Sequence, residues 1–313
     1  MGIPTLNNFL QNSCKNAIES VHLSQLKGKK IVIDTSIFLY KYESNGNLLE
    51  QFYLLIITLK KYKIIPLFIF DGKIPIETKE IFQKRKEEKI SAIQKYNEIK
   101  ELIEKGKSSP ELMNQLKSLQ KKAVTMNSNK INSIKLLFTY FGVCYLEAPG
   151  EADVLCAQLV KDEKVYACVS EDMDMFAYGC PRVLRYLSLV NHTAILYEYN
   201  KILSILNLDS ESLLDLCILC GTDYNINQMN IQKKFNYWYK KYLDYTESYS
   251  VNTFFQWLED DGEEIDENKI NYIKSIFKNK ININDLCPDD IKNGIVMEKE
   301  LKKLLESDGF IFS

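Results

Sequence analysis

Two short apolar runs, each closing on an aspartate, constrain this chain more than any other feature. Lys30-Ile31-Val32-Ile33-Asp34 and Ile64-Ile65-Pro66-Leu67-Phe68-Ile69-Phe70-Asp71 are continuous rather than alternating. That is the pattern of strands buried on both faces. Pro66 falls near the start of its run, where a missing N–H is tolerated. Further strands are predicted over residues 142–146, 165–169, 183–187 and 194–199, and helical stretches separate most of them, including 48–62, 132–141 and 150–159. Such alternation specifies an α/β fold with a mostly parallel sheet flanked by helices.

In an open parallel sheet, ligands bind outside the carboxyl ends of the strands. Asp34 and Asp71 then face one crevice, although either alone is accounted for as an N-cap or turn former. A third strand runs into Ser170-Glu171-Asp172-Met173-Asp174, where period-two alternation puts Asp172 and Asp174 on one face. Glu151 and Asp153 open the helix after Ala148-Pro149-Gly150, a place where acids often serve as dipole partners. Asp223 sits at the turn closing Cys220-Gly221-Thr222-Asp223-Tyr224. These acids are expected to converge, and so many like charges require neutralisation. With His22 and His192 the only histidines, oxygen donors are what remain, and they select Mg²⁺ or Mn²⁺. Two such ions ~3.5–4 Å apart are the arrangement that hydrolyses a phosphodiester.

Between residues 76 and 130 the texture changes to Lys, Glu, Gln and Asn, with Phe82, Ile90, Ile93, Tyr96 and Ile99 at helical spacing. Residues 106–110 break this helix and 111–123 resume it. The segment reads either as a solvated helical hairpin or as an arch over the site. After Asp223 the chain becomes helical and polar, with aromatic clusters around Phe235–Tyr242 and an acidic, loop-like run from Glu259 to Glu267.

These blocks resemble the flap endonuclease / XPG family of structure-specific 5′ nucleases, divergent and viral members included. The carrying motifs are Met1-Gly2-Ile3, Ile33-Asp34-Thr35-Ser36 through Tyr40, Phe70-Asp71-Gly72-Lys73-Ile74-Pro75, Glu147-Ala148-Pro149-Gly150-Glu151-Ala152-Asp153, Ser170 to Asp174, and Asp215 to Tyr224. Their order and spacing match over most of residues 1–224. The resemblance implies a PIN-like 5′-nuclease fold with an inserted helical arch and a helical C-terminal lobe. It divides the chain into an N-terminal nuclease region (1–77), an arch or gateway (78–130), an internal nuclease region (131–224) and a duplex-binding lobe (225–313). It implies two Mg²⁺ ions, with Mn²⁺ as a substitute, held by Asp34, Asp71, Glu151, Asp153, Asp172, Asp174 and Asp223 directly or through water. It makes Arg85 the arch arginine that clamps the scissile phosphate, Lys79 the companion lysine displaced by one place, and Tyr40 an aromatic that stacks on a base. Gly2 and Lys84 are further expected nucleic-acid contacts, and Lys233 and Lys234, in a stretch that departs from the family, are expected to hold the duplex phosphates themselves. The implied activity is 5′-flap cleavage with 5′→3′ exonuclease action on branched or 5′-ended DNA. A mainly exonucleolytic or junction-resolving relative, a PIN-like ribonuclease and a non-catalytic DNA-binding module are the alternatives.

Two stretches depart from the family pattern. Residues 225–234 lack the Gly-rich turn that binds a monovalent cation, and close backbone approach to phosphate usually needs glycine. The last residues, LKKLLESDGFIFS, lack a Gln-led sliding-clamp peptide, so clamp binding is not expected.

Composition agrees with a globular chain, and a monomer is expected. Hydrophobic residues make up 46% and charged residues 26%, and the formal net charge of −2 becomes net basic once the seven acids are set aside as ligands. Eight cysteines lie mostly in apolar runs without a disulfide framework, and Cys217-x-x-Cys220 has no second ligand pair, so all are expected as core thiols. The expected setting is a reducing intracellular compartment, in the nucleus or at a cytoplasmic replication site, with no membrane association. The N-terminus carries no secretory signal pattern.

Overall fold

The computed structural model describes residues 2–73, 79–106, 109–122, 124–225, 233–283, Leu286 and 291–310. The chain divides into two compact units, Leu26–Ala152 with Leu286–Ser313 and Met1–Gln25 with Asp153–Asp285.

The first of these units is built on three parallel strands, β2 (Lys30–Asp34), β3 (Ile65–Phe70) and β4 (Cys144–Glu147). Ile31, Val32, Ile33 and Leu67 to Phe70 are all buried, as continuous apolar strands require. Pro66 pairs in register with Ile31 near the strand start. Helix α2 (Thr35–Ser44) begins directly at the end of β2, two residues earlier than the apolar pattern suggests, because Asp34 is its N-cap. Helices α3 (Leu48–Lys61) and α6 (Ser128–Phe141) pack together, and Phe52, Phe68 and Phe138 form an aromatic centre with the Phe68–Phe138 rings stacked at 4.1 Å. The lysine-rich segment forms a hairpin of α4 (Lys79–Glu104) packed on α5 (Pro110–Lys122). Residues beyond Leu286 return to this unit. There α14 (Glu298–Ser307) lies on α6, the Gly294 N–H donates to Gly142 O, and the Met297 N–H donates to Tyr140 O.

The second unit carries the strand order β1-β7-β6-β5. Here β5 (Ala167–Val169) runs parallel to β6 (Arg182–Ser188), while β7 (Thr193–Glu198) is antiparallel to both β6 and β1 (Ile18–His22). Strand β1 is absent from the sequence-based expectation. Helix α1 (Leu6–Ser13) precedes it, α7 (Ala152–Lys161) leads toward β5, and α8 (Asp174–Ala177) follows β5. Beyond α9 (Tyr199–Leu206) and the apolar α10 (Ser210–Cys220) come α11 (Phe235–Glu247), α12 (Phe254–Asp260) and α13 (Glu267–Lys278). The acidic run 259–267 is therefore only partly loop, since α12 reaches Asp260 and Asp266 caps α13. Cys217 and Cys220 are buried on α10, and burial pushes the Cys220 thiol up to about 11, which suits an inert core position. No described helix is long and apolar enough to cross a membrane.

Candidate functional site

The acids fall into two sets, one in each unit. In the unit built on β2, β3 and β4, Asp34 ends β2 and accepts the Ser36 N–H at 3.1 Å. The Ser36 hydroxyl donates a short hydrogen bond to Asp71 Oδ2, and the Ala152 N–H donates to Asp71 Oδ1 at 2.8 Å. One serine therefore ties two strand-end carboxylates together, and the first residue of α7 fixes the second. The 148–150 turn is stitched to the end of β3 by Ala148 N–H to Phe70 O at 2.9 Å and Gly72 N–H to Gly150 O at 2.8 Å. A Cβ on Gly72 would collide with the Ala148 carbonyl, so the residue after Asp71 must be glycine for this approach. Glu151 stands immediately before α7.

Tyr40 is 46% exposed on α2. Burial, followed by the Asp71 negative charge, raises its hydroxyl above the ordinary range. The Lys89 ammonium, from α4, lies 5.1 Å over its ring. Lys79, Lys84 and Arg85 belong to the first two turns of the same helix, and their side chains lie outside the described residues.

In the second unit, Asp172 and Asp174 follow β5 and are each 4% exposed. The Asp172 N–H donates to Ser170 Oγ at 3.2 Å and the Asp174 N–H to Asp172 Oδ1 at 2.9 Å, which folds the turn tightly. The Asp223 N–H points at Asp174 Oδ2 at 3.4 Å. Asn225 holds the turn that carries Asp223. Its Oδ1 accepts from Thr222 N at 2.6 Å and Thr222 Oγ1 at 2.9 Å, and its Nδ2 donates to Ile218 O at 2.7 Å. Asp153 lies in the first turn of α7. Gly2 rests on the pair of aspartates: a Cβ there would collide with Asp172 Oδ1 and stand 2.8 Å from Asp174 Oδ1.

Among the described residues no group of three or more His, Cys, Asp or Glu is drawn together closely enough to hold an ion by itself. The donor set nevertheless fits a hard divalent cation. Asp172 and Asp174 are carboxylates kept nearly out of water, and the absent Cβ of Gly2 leaves room against their oxygens.

Lys234 is exposed at the N-cap of α11. Lys233 is instead ion-paired with Glu263 and lies 4.7 Å over the Tyr237 ring and 5.3 Å over that of Trp238. Residues 226–232, where the monovalent-cation turn would fall, lie outside the described residues.

Sequence reasoning did not assign Ser36, Gly72, Lys89 or Asn225. The glycine and serine stand beside strand-end aspartates, a detectable signal. Lys89 is one of many lysines on its helix, and nothing in the sequence singles it out.

Residues 1–92 match the model of the XPG N-terminal domain and residues 142–223 that of the XPG I-region. Flap endonuclease 1-A of Sorghum bicolor is 32% identical over 243 residues, covering 72% of this chain and 62% of that protein. A probable RAD2-like endonuclease of Invertebrate iridescent virus 6 is 27% identical over 283 residues, covering 72% of this chain and 68% of that protein. The chain thus spans a little over three fifths of the length of the flap endonucleases it matches. Among solved structures, the catalytic core of Rad2 in complex with DNA substrate superposes with a TM-score of 0.66 at 20% identity, over 96% of this chain and 94% of that one. Flap endonuclease-1 from Methanococcus jannaschii gives 0.64 at 23% identity, over 93% and 90%. These structures share the α/β 5′-nuclease fold expected from the sequence. With both XPG models matched in chain order and the motif aspartates at strand and helix ends, the chain belongs to the XPG family.

Proposed function

We propose that this protein is a divalent-metal-dependent, structure-specific nuclease that cleaves 5′-flap DNA and also degrades DNA exonucleolytically from 5′ ends. The observation that carries the reading is the Asp172–Asp174 turn with Gly2 laid against it. Two carboxylates withdrawn from water, with a residue that must be glycine packed against them, are what a site that neutralises them with a hard cation would require.

Asp34, Asp71, Glu151, Asp153, Asp172, Asp174 and Asp223 would hold the ions. When bound, Mg²⁺ supplies a water of lowered pKa and neutralises charge on the leaving oxygen. Ser36 keeps the Asp34 and Asp71 carboxylates in fixed orientation, and the Ala152 N–H holds the other Asp71 oxygen. Tyr40 offers a half-exposed ring for a base beside the cleaved bond, and Lys89 supplies positive charge over that ring. In this reading α4 presents Arg85 to the scissile phosphate, where a guanidinium forks onto phosphate oxygens, with Lys79 and Lys84 as further contacts. Lys234 is the duplex contact on α11.

The test is a cleavage panel with Mg²⁺ on 5′-flap, nicked, blunt-duplex, Holliday-junction and single-stranded substrates in DNA and RNA. The reading expects the 5′-flap DNA to be cut fastest, near the junction. A junction substrate cut faster than the flap would make the protein a resolvase, and preferential RNA cleavage would make it a ribonuclease.

A further inference from the structure

One buried cation lies outside the machinery described so far. Arg185, on β6, has a side chain only 6% exposed. Its Nη1 donates to Asn7 Oδ1 at 2.5 Å and its Nη2 to the Glu171 carbonyl at 2.9 Å. Glu171 Oε2 is 3.8 Å away, and the guanidinium lies 4.9 Å over the Tyr186 ring and 5.6 Å over that of Tyr197. Arg185 Nε is buried with no hydrogen-bond partner among the described residues. Asn7 uses its whole amide here. Its Oδ1 also accepts from Tyr197 OH at 2.9 Å, and its Nδ2 donates to Tyr186 OH at 2.9 Å.

The backbone is irregular at the same place. The β6–β7 register shifts between Arg185 and Ser188, and Tyr186 adopts φ 54, in the left-handed region. Glu171 Oε1 accepts the Tyr186 N–H at 2.7 Å and so stabilises the bulge. Burying a charge with an imperfect ion pair is costly, and so is a non-glycine residue in this backbone region. Bulges and strained residues of this kind cluster beside functional sites.

Both ends of the network lead to the same two carboxylates. Glu171 immediately precedes Asp172, and Ser170 N–H donates to Leu184 O, next to Arg185. Asn7 is on α1, five residues after Gly2, and Gly2 is the residue pressed against Asp172 and Asp174. We propose that Arg185, bridged to Asn7, is a positioning residue for Asp172 and Asp174. It fixes the 170–174 turn from one side and the N-terminal segment lying on that turn from the other. The carboxylates then meet a divalent cation in one prepared arrangement. A lysine keeps the charge but cannot fork between Asn7 and the Glu171 carbonyl.

The proposal rests on the metal-dependent reading above, so the deciding readout is separate from cleavage. Mn²⁺ alone is titrated calorimetrically into the full chain, without DNA, for wild type, Arg185→Lys and Asn7→Ala. Phe254→Leu, a core change on α12, serves as a control for general destabilisation. Each of the first two variants should weaken Mn²⁺ binding at least fivefold and raise the Mg²⁺ concentration for half-maximal flap cleavage by a similar factor. Affinity for flap DNA in Ca²⁺ should stay within twofold. If Arg185→Lys fails to fold, Asn7→Ala, which removes no charge, decides alone. Unchanged Mn²⁺ affinity in Asn7→Ala, or an equal loss in Phe254→Leu, would show the network to be merely structural and overturn the proposal. A wild type that binds Mn²⁺ but cuts no DNA would sink the nuclease reading while the calorimetric comparison still decides the role of Arg185. A wild type that binds no Mn²⁺ would overturn both.

Discussion

Gly72→Ala should destabilise the unit built on β2, β3 and β4 by an amount the contacts allow to be worked out. The new methyl would collide with the Ala148 carbonyl oxygen, with the Ala148 carbonyl carbon at 2.8 Å and the Pro149 carbonyl carbon at 3.2 Å. These are backbone atoms that no side-chain rotation can move, so the 148–150 turn must shift as a body. Overpacking of this kind costs about 1–3 kcal/mol. The shift also disturbs Gly72 N–H to Gly150 O and Ala152 N–H to Asp71, the second of which ends on a carboxylate. A neutral hydrogen bond contributes about 0.5–1.5 kcal/mol and one to a charged group about 1.5–3 kcal/mol. Reduced freedom of the unfolded chain offsets about 0.4–1 kcal/mol. These contributions leave a net loss of about 2–7 kcal/mol, a fall in Tm of at least about 4 °C. Differential scanning calorimetry without metal measures it, with Gly46→Ala as comparison. Gly46 has open space around its Cβ position and φ 78, so only the backbone cost applies there. If Gly72→Ala melted with or above wild type, the turn would not be clamped as described, and the placement of Asp71 would lose its basis.

Other perturbations test other parts of the account. Asp215 is half-buried on α10 against Lys274, and desolvation raises its carboxyl to about 6 despite that partner. Its unfolded-state value is 3.8, so the group stabilises the fold fully below about pH 4, and that stabilisation is lost as pH rises through about 6. Urea titrations should therefore show stability falling by on the order of 2–3 kcal/mol between pH 4 and 7 from this group, with the slope absent in Asp215→Asn. An unchanged slope in that variant would assign the pH dependence elsewhere. Ser36→Ala removes the hydroxyl that donates to Asp71 while keeping the backbone N–H on Asp34, and should cost about 1 kcal/mol of stability and about tenfold in single-turnover cleavage. Full activity would show that the bridge is not needed for Asp71 to function. Glu263→Gln frees Lys233 from its ion pair and should tighten duplex binding and steepen its salt dependence by about one counterion. No change in either would show that Lys233 does not reach the duplex.

The parts of this fold that could be read from sequence are those where periodicity and chemistry agree. The runs ending at Asp34 and Asp71 have no alternative as buried parallel strands, and the turn chemistry after them marks the site. Strand β1 was not readable because Ile18-Glu19-Ser20-Val21-His22 buries only Val21. It exists because β7 offers an edge to pair with, and that pairing brings His22 and His192, 170 residues apart in sequence, to a ring separation of 6.4 Å. The acidic run 259–267 looked like a loop because charge hides helix ends. Asp266 is spent capping α13, and Asp261 and Glu263 pair with Lys241 and Lys233. Nothing in the strand predicted over 183–187 singles out Arg185. Its burial depends on Asn7 and Glu171, which come from distant parts of the chain, and no local pattern encodes that. Ser36 is marked locally by its place beside Asp34, but its second acceptor, Asp71, follows a different strand and is not encoded there.

The most direct test of the central claim is single-turnover cleavage of a 5′-flap DNA, compared between wild type and Asp172→Asn with saturating Mg²⁺. Binding of the same DNA is measured in Ca²⁺. If Asp172 belongs to a divalent-metal site, the substitution removes a ligand charge and leaves the DNA-binding surface intact. The account predicts metal-dependent incision near the flap junction by the wild type. It predicts a rate at least a thousandfold lower in Asp172→Asn, a loss of about 4 kcal/mol of transition-state stabilisation, with DNA affinity within threefold. Cleavage by Asp172→Asn at the wild-type rate, or cleavage by the wild type in excess EDTA, would contradict it.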